Sequence, residues 1–503
     1  MFYACLPLSA SPIRKYLGTG CRHDVGSAPV TEERFSWKLA GDSALYGTSA
    51  AIAKALALLT VPYLTRALSP EGYGVADLAT STAALLTLIA MFSGDIPAAR
   101  AYGISADPRE RTRVLSSYVW VTIVVTCTVA LLLLPVAHVI ATGAWGEANH
   151  IGLAVLAVLL VPVSGAQAAL AQTQRIQSHP RRFAALALVD LLAQLGLAVG
   201  LVAAGGGPLG VILGFVLGSS IGLVVALVVA WRVIIVRPDP TVARDLLVEG
   251  MKFLPHVTMF VIADWIVRSV VANSVGPSGV AQLGLAIRVA SVLTLVSAAF
   301  AMAFGPVGLA RRRSDETSKL FGRLLLTYGS VSTAGALLLA AVGPELLRSV
   351  AGPGYEDAAI ILPGFALAYA IAGTEYILVV AAGVSNRASR VALAAALGVG
   401  VQVMLSGLLV PSIGLAAIGP AAILGRAVSF SLLLSGVAET LSFRLSQVAS
   451  LGLAAVGTAL GVELLILHDT GWWQIRWVLA GLLLALGWLA VRPLLGQRSP
   501  RAS

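Results

Sequence analysis

Residues 253–306 read FLPHVTMFVIADWIVRSVVANSVGPSGVAQLGLAIRVASVLTLVSAAFAMAFGP. Two apolar runs flank the turn Gly276-Pro277-Ser278-Gly279, so the stretch reads as two membrane-spanning helices with a short turn between them. On the first run Asp264 and Arg268 stand four residues apart and share a helical face; the second run carries Arg288. A charge at the centre of a spanning helix costs about 2.5–3.5 kcal/mol on insertion scales, so three in one hairpin require a use. They imply a polar cavity inside a transporter, with cationic side chains placed to hold an anionic substrate.

The rest of the chain agrees with a membrane solvent. Of its 503 residues 58% are hydrophobic and 12% charged, and the mean hydropathy is +0.89. A soluble domain carries about 25% charged residues. The apolar runs are continuous rather than alternating, which argues against a β-barrel and predicts an all-α polytopic membrane protein. The net charge of +10 falls between the apolar runs, so it reports topology rather than nucleic-acid binding. Cys5, Cys21 and Cys127 fit no zinc or disulfide pattern, and His138, His150, His179, His256 and His468, five of the six histidines, are scattered.

Outward from the hairpin, about fourteen spans are expected. Residues 1–40 form a cytoplasmic tail. An N-lobe over 41–236 holds spans 1–6, near Asp42–Leu64, Val75–Ala98, Leu115–Ala137, Ile151–Gln172, Phe183–Ala204 and Leu209–Val236. A hydrophilic cytoplasmic linker occupies 237–252. A C-lobe over 253–440 holds the hairpin and spans 9–12, near Leu320–Val342, Ala358–Ala382, Val391–Val410 and Ala416–Ala438. Spans 13 and 14, near Val448–Leu467 and Trp477–Val491, fill 441–492 before a cytoplasmic tail at 493–503.

With the N-terminus in the cytoplasm, the inward loops and both tails hold about 27 of the 34 Lys and Arg, and the outward loops hold Arg66, Arg348 and Arg476. About four, Lys54, Arg268, Arg288 and Arg426, remain well inside spans. Both termini are therefore expected in the cytoplasm. An internal repeat is also visible: Ser69-Pro70-Glu71-Gly72-Tyr73-Gly74 after span 1 and Gly276-Pro277-Ser278-Gly279 after span 7 align Pro70 with Pro277 and Gly72 with Gly279. Both are read as tight turns. Six spans separate the copies, which predicts two pseudo-symmetric six-helix lobes of like orientation.

The stretch Pro62-Tyr63-Leu64-Thr65-Arg66-Ala67-Leu68-Ser69-Pro70-Glu71-Gly72-Tyr73-Gly74 resembles the stretch after the first helix of bacterial polysaccharide flippases. These are O-antigen-type exporters of the multidrug/oligosaccharidyl-lipid/polysaccharide exporter superfamily. Gly94-Asp95 with Arg100 is similar to the family's second-helix end. Gly250-Met251-Lys252-Phe253-Leu254-Pro255, Asp264, Val275-Gly276-Pro277 and Ala286 with Arg288 resemble its seventh and eighth helices. The resemblance covers about residues 40–440. It departs from the family at Trp265, where a basic residue is common, and at Leu283 and Leu285, where a Tyr is common. It implies paired six-helix lobes that open alternately to each side of the bacterial inner membrane. The implied cargo is an isoprenoid-pyrophosphate-linked oligosaccharide, used in polysaccharide biosynthesis. A polymerase and glycosyltransferases of the same pathway are implied partners, beside membrane lipid.

Arg268 lies about 9 Å from the outer end of its helix at 1.5 Å per residue, and Arg288 is expected at a similar depth, so their guanidiniums can share a layer, with Lys54 and Asp264 nearer the midplane. Arginine grips a pyrophosphate bidentately and lysine as a point charge. Lys54, Arg268 and Arg288 are the expected substrate contacts. An internal Asp264–Arg268 pair is the alternative. Asp264, Glu375, Arg426, Asp95 and Arg100 are the coupling or gating candidates, with a cross-helix Glu375–Arg426 pair and an inside anchor at Arg100 as their structural readings. Asp190 is expected to pair with a basic loop. No GxxxxGK loop is present, so no nucleotide cofactor is expected and Na⁺ or H⁺ is the candidate coupling ion. A multidrug exporter fits the intramembrane cations poorly. An integral-membrane polymerase or ligase would need a larger outward loop than Gly343–Asp357. A scaffold gains nothing from buried charge.

Overall fold

Prolines set where many of the helices begin. Pro70, Pro108, Pro180, Pro240 and Pro277 each stand first in a helix, where the missing N–H costs nothing and φ is already suited to the turn. The structure is a computed structural model that describes residues 32–145, 150–309, 315–384 and 388–437. Expected spans 13 and 14 and the C-terminal tail lie outside the described residues, as does most of the N-terminal tail. No strand occurs among the described residues.

The chain divides into two compact units. The first comprises the described residues to Leu68 together with Val75–Trp265. It is built from α1 (Glu32–Ala67), α2 (Pro70–Ala90, from its second turn), α3 (Asp95–Ile104) and α4 (Pro108–Leu133). The single turn α5 (Ala137–Val139) follows, then α6 (Ile151–Ile176), α7 (Pro180–Ala203), α8 (Gly207–Val229), α9 (Trp231–Ile235) and most of α10 (Pro240–Ser274). The second unit takes Ser69–Gly74 and the described residues from Ile266 on. It holds the end of α10, α11 (Pro277–Ala290), α12 (Leu293–Leu309), α13 (Asp315–Val350), α14 (Ala358–Val384), α15 (Ala388–Ile413) and α16 (Ile418–Val437).

Ten helical stretches among the described residues are long and apolar enough to cross a membrane, eleven with the bent pair α11–α12 counted as one. One of them, Arg390–Val437, is a hairpin: Gly398 of α15 packs on the Gly425 carbonyl of α16, and Arg390 lies beside Gly436. Counted as its two helices α15 and α16, it brings the stretches among the described residues to twelve, which lie at the positions of expected spans 1–12.

Four expected boundaries are corrected. Ser69–Gly74 is not a turn: α2 begins at Pro70, with the Ser69 hydroxyl accepting the Gly72 N–H at 3.1 Å. Likewise α11 begins at Pro277, and of Gly276–Gly279 only Gly276, at φ 98°, lies outside the helix. The Arg237–Lys252 linker is helical from Pro240, because Asp239 caps that end and its polar residues lie on a continuous helix. Expected span 6 stops at Val229, where Ala230 breaks the helix ahead of the short α9.

Both helices that open with the repeated Pro-x-Gly motif are broken further on. Between α2 and α3, Phe92 and Ser93 have φ 43° and 52°, a left-handed backbone that costs roughly 1–2 kcal/mol per residue. Gly250 of α10 closes over that break, where a Cβ would lie 2.4 Å from the Phe92 carbonyl oxygen. Between α11 and α12 the axis bends by 44°. The two motif copies also touch, for a Cβ on Gly74 would lie 1.8 Å from the Pro277 carbonyl oxygen.

In lipid, helices gain no hydrophobic advantage from association, so close backbone packing carries more of the load. In α8 the glycines Gly210, Gly214, Gly218 and Gly222 recur every four residues and face α7. A Cβ at Gly214 would meet the Ala198 nitrogen at 2.3 Å, and one at Gly218 the Gln194 Cα at 2.4 Å. These approaches leave no room for any larger residue.

Candidate functional site

The intramembrane charges fall in both units. In the first, Lys54 is half-buried on α1 and Asp264 is half-buried on α10. Trp265, the residue that stands where a basic side chain is common in the resembling family, donates its indole N–H to the Thr82 hydroxyl at 2.9 Å. Trp145, 1% exposed, donates to the same oxygen at 3.2 Å. One buried threonine on α2 therefore anchors two indoles from distant parts of the chain, which fixes the face of α10 on which Asp264 stands.

Asp95 opens α3, directly after the break, and binds Arg175 of α6 at 2.8 Å. That pair ties the broken span to its neighbour at the basic end of the helices. Arg100, one turn further along α3, is half-buried and forms no ion pair among the described residues. Asp190 does not reach a basic loop. Its carboxylate accepts from the Gln194 amide at 2.8 Å, and the same amide donates to Ser219 of α8 at 2.9 Å. The glycine stripe brings α8 close enough for this bridge.

In the second unit Arg268 is 6% exposed in the span Val257–Ser274. Asp264, one turn earlier on the same helix, belongs to the first unit, so the boundary between units falls between the two candidates. Arg288 of α11 lies over the Tyr73 ring, 5.2 Å from its centroid, and donates a hydrogen bond to the phenol oxygen. Tyr73, 3% exposed, meets Tyr355 edge-on at 5.8 Å. Gln282 completes the cluster: its amide donates to the Gly354 carbonyl at 2.7 Å and its oxygen accepts the Ala358 N–H at 2.9 Å. Burial, and next the neighbouring Tyr73, push the Tyr355 phenol above the ordinary tyrosine range.

Glu375 of α14 is 7% exposed and lies 3.6 Å from the Arg426 guanidinium of α16, while the Ser429 hydroxyl donates to its other oxygen. The cross-helix pair is therefore present, and Ser429 is a third member. Leu283 and Leu285, the other departures from the resembling family, are fully buried on α11.

Tyr73, Tyr355, Thr82, Gln194 and Ser429 were not marked by the sequence as members of these clusters. Tyr73 had a signal, its place in the Pro-Glu-Gly-Tyr-Gly motif. Ser429 had one too, three residues after Arg426 and so on the same face of α16.

The helix order, the two broken spans and the long apolar helices define a polytopic, all-helical membrane fold. A solved lipid II flippase MurJ, in an inward closed conformation, has this fold with TM-score 0.64 at 15% identity, covering 90% of this chain and 99% of that one. An inward-facing multidrug-resistance MATE transporter of the MOP superfamily gives 0.58 at 16% identity, covering 77% and 94%. An outward-facing one gives 0.51 at 15% identity, covering 80% and 94%. At such identities the likeness is one of fold. No curated protein matches significantly. The family itself is settled by sequence: the polysaccharide biosynthesis protein family matches residues 39–311, more than half of the chain, and the chain belongs to that family.

Proposed function

We propose that this multi-pass membrane protein moves a polyprenyl-pyrophosphate-linked oligosaccharide across the bacterial inner membrane by alternating access, in cell-surface or exopolysaccharide biosynthesis. The observation that carries the reading is the family match over 39–311, which contains all three expected substrate cations, Lys54, Arg268 and Arg288. A fold shared with a lipid II flippase supports it. Arg268 is buried inside a span, where a retained cation marks a functional position by default. The bias of Lys and Arg toward one side supports cytoplasmic termini. Glu375 and Asp264 are the acids through which a Na⁺ or H⁺ gradient would act. The protein would hand its cargo to a polymerase of the same pathway, itself performing no covalent chemistry.

The second reading is a multidrug exporter, favoured by the MATE fold likeness. Four cations inside spans make an organic cation a poor guest. The test is scrambling of a fluorescent undecaprenyl-pyrophosphate oligosaccharide by the purified protein in liposomes, beside Arg268→Ala and Arg288→Ala. Protein-dependent scrambling, lost in both variants while each still purifies as folded, monodisperse protein, is expected. Dye export without lipid scrambling would replace the flippase reading with the multidrug one. Normal scrambling by both variants would remove the arginines from the site.

A further inference from the structure

The first unit holds an open cavity of about 570 Å³ at the basic end of α7 and α8, away from every residue assigned above to substrate. Its walls are apolar: Leu186 and Val189 come from α7, and Val225 and Val229 from α8. Its rim carries Arg182, in the first turn of α7, and Arg232, in α9 just beyond α8. No carboxylate lines it.

The register of the glycine stripe explains why these arginines meet. Gly214 faces Ala198, Gly218 faces Gln194 and Gly222 faces Asp190, so the two helices run antiparallel. Continued by two more turns, the same register sets Arg182 beside Ala230, at the end of α8. There the chain turns and presents Trp231, with the Arg232 guanidinium 5.6 Å from its ring centroid. Trp231 is 52% exposed, as suits an aromatic at a membrane boundary. The outward faces of α8 are apolar and exposed at Leu217, Ile221, Val224 and Val228, which places the groove on the lipid side. The N-terminus of α7 carries no side-chain cap, so its positive dipole end adds to the field of the arginines.

We infer that this groove is a binding site for an anionic phospholipid, its phosphate between Arg182 and Arg232 and an acyl chain along Val189, Val225 and Val229. Charge complementarity selects the occupant: a lipid-facing apolar groove closed at its polar end by two guanidiniums matches a molecule with one phosphate and a hydrocarbon tail. The site stands whichever leaflet the basic end occupies, and whatever the protein transports.

The test is native mass spectrometry of the delipidated full-length protein, titrated with phosphatidylglycerol or phosphatidylcholine. Two basic side chains near a headgroup give an expected preference of roughly thirtyfold for phosphatidylglycerol. Arg182→Gln with Arg232→Gln should bring that preference down to the phosphatidylcholine level. Arg181→Gln, an exposed neighbour that does not line the groove, should leave it unchanged. Equal binding of the two lipids by the wild type would overturn the assignment. So would a preference that survives the double substitution, or one lost equally in Arg181→Gln. A polyprenyl phosphate that displaces phosphatidylglycerol at lower concentration would make the groove a polyprenyl site instead.

Discussion

Replacing Gly218 with alanine tests how α7 and α8 are joined. The new Cβ would lie 2.4 Å from both the nitrogen and the Cα of Gln194, and ordinary contact begins at 3.4 Å. Both obstructing atoms are backbone, so no side chain can swing away, and the helices must part by about 1 Å to restore ordinary contact. That separation carries the 2.9 Å Gln194–Ser219 hydrogen bond beyond bonding range. Overpacking costs about 1–3 kcal/mol, and an interhelical hydrogen bond in lipid adds about 0.6 kcal/mol. Alanine's better helix propensity returns about 0.8–1.0 kcal/mol. The net loss is about 0.6–2.8 kcal/mol. Gly196→Ala on α7 is the matched control, because nothing lies within 4 Å of its added Cβ. It gains the same propensity without the clash, so the difference between the two variants isolates the contact. Unfolding in detergent, followed by loss of the monodisperse chromatographic peak on heating, gives the comparison. Gly218→Ala is expected to melt well below wild type and Gly196→Ala at or above it. Equal melting of the two would mean that the helix backbones are not in contact at Gly218.

Thr82→Val keeps the shape of the side chain but leaves two indole N–H groups without their acceptor, at about 1–3 kcal/mol each; Thr82→Ser should retain the wild-type melt, and equal melts for valine and serine would deny the shared hydroxyl a role. Arg426→Met strands the Glu375 carboxylate and should cost about 3–5 kcal/mol, most of it recovered when Glu375→Gln is added; a double variant no better than the single one would count against the pair. Asp239 caps α10, taking the Thr241 hydroxyl and N–H, and the first of these bonds is the main reason its carboxyl lies below the usual carboxylate range. Its contribution is therefore complete above about pH 4 and is lost as pH falls through the depressed value, while Asp239→Ala should lose about 0.5–2 kcal/mol at neutral pH. A melt in which Asp239→Ala tracks the wild type at neutral pH would contradict the cap.

The spans were legible because burial in lipid demands long apolar runs, and those runs show in any window of the sequence. Where helices begin was less so. Pro70 and Pro277 can open a tight turn or stand first in a helix, and the sequence alone favoured the turn. The break at Phe92 and Ser93 had no local signal, since neither residue prefers a left-handed backbone; what holds it is Gly250, distant in sequence. The glycine stripe of α8 could have been read from its four-residue period. Its partner helix could not, because periodicity marks a face without saying what covers it. The charges were found for the same reason as the spans: each is conspicuous against an apolar background. Their neutral partners, Gln194 for Asp190 and Tyr73 for Arg288, stand out against no background at all.

The contact between Tyr73 and Arg288 sets an order of assembly. The two residues are 215 positions apart in the chain. At synthesis rates of about 5–20 residues per second, the first turn of α2 waits roughly 10–40 s for the helix it packs on. During that interval the Tyr73 phenol and the bare backbone at Gly74 are already in the membrane, while α11 is still unsynthesised. The Ser69–Gly74 segment of the second unit thus leaves the ribosome long before the rest of that unit, and a nascent chain arrested before Pro277 should expose it to crosslinking that vanishes once α11 has been inserted.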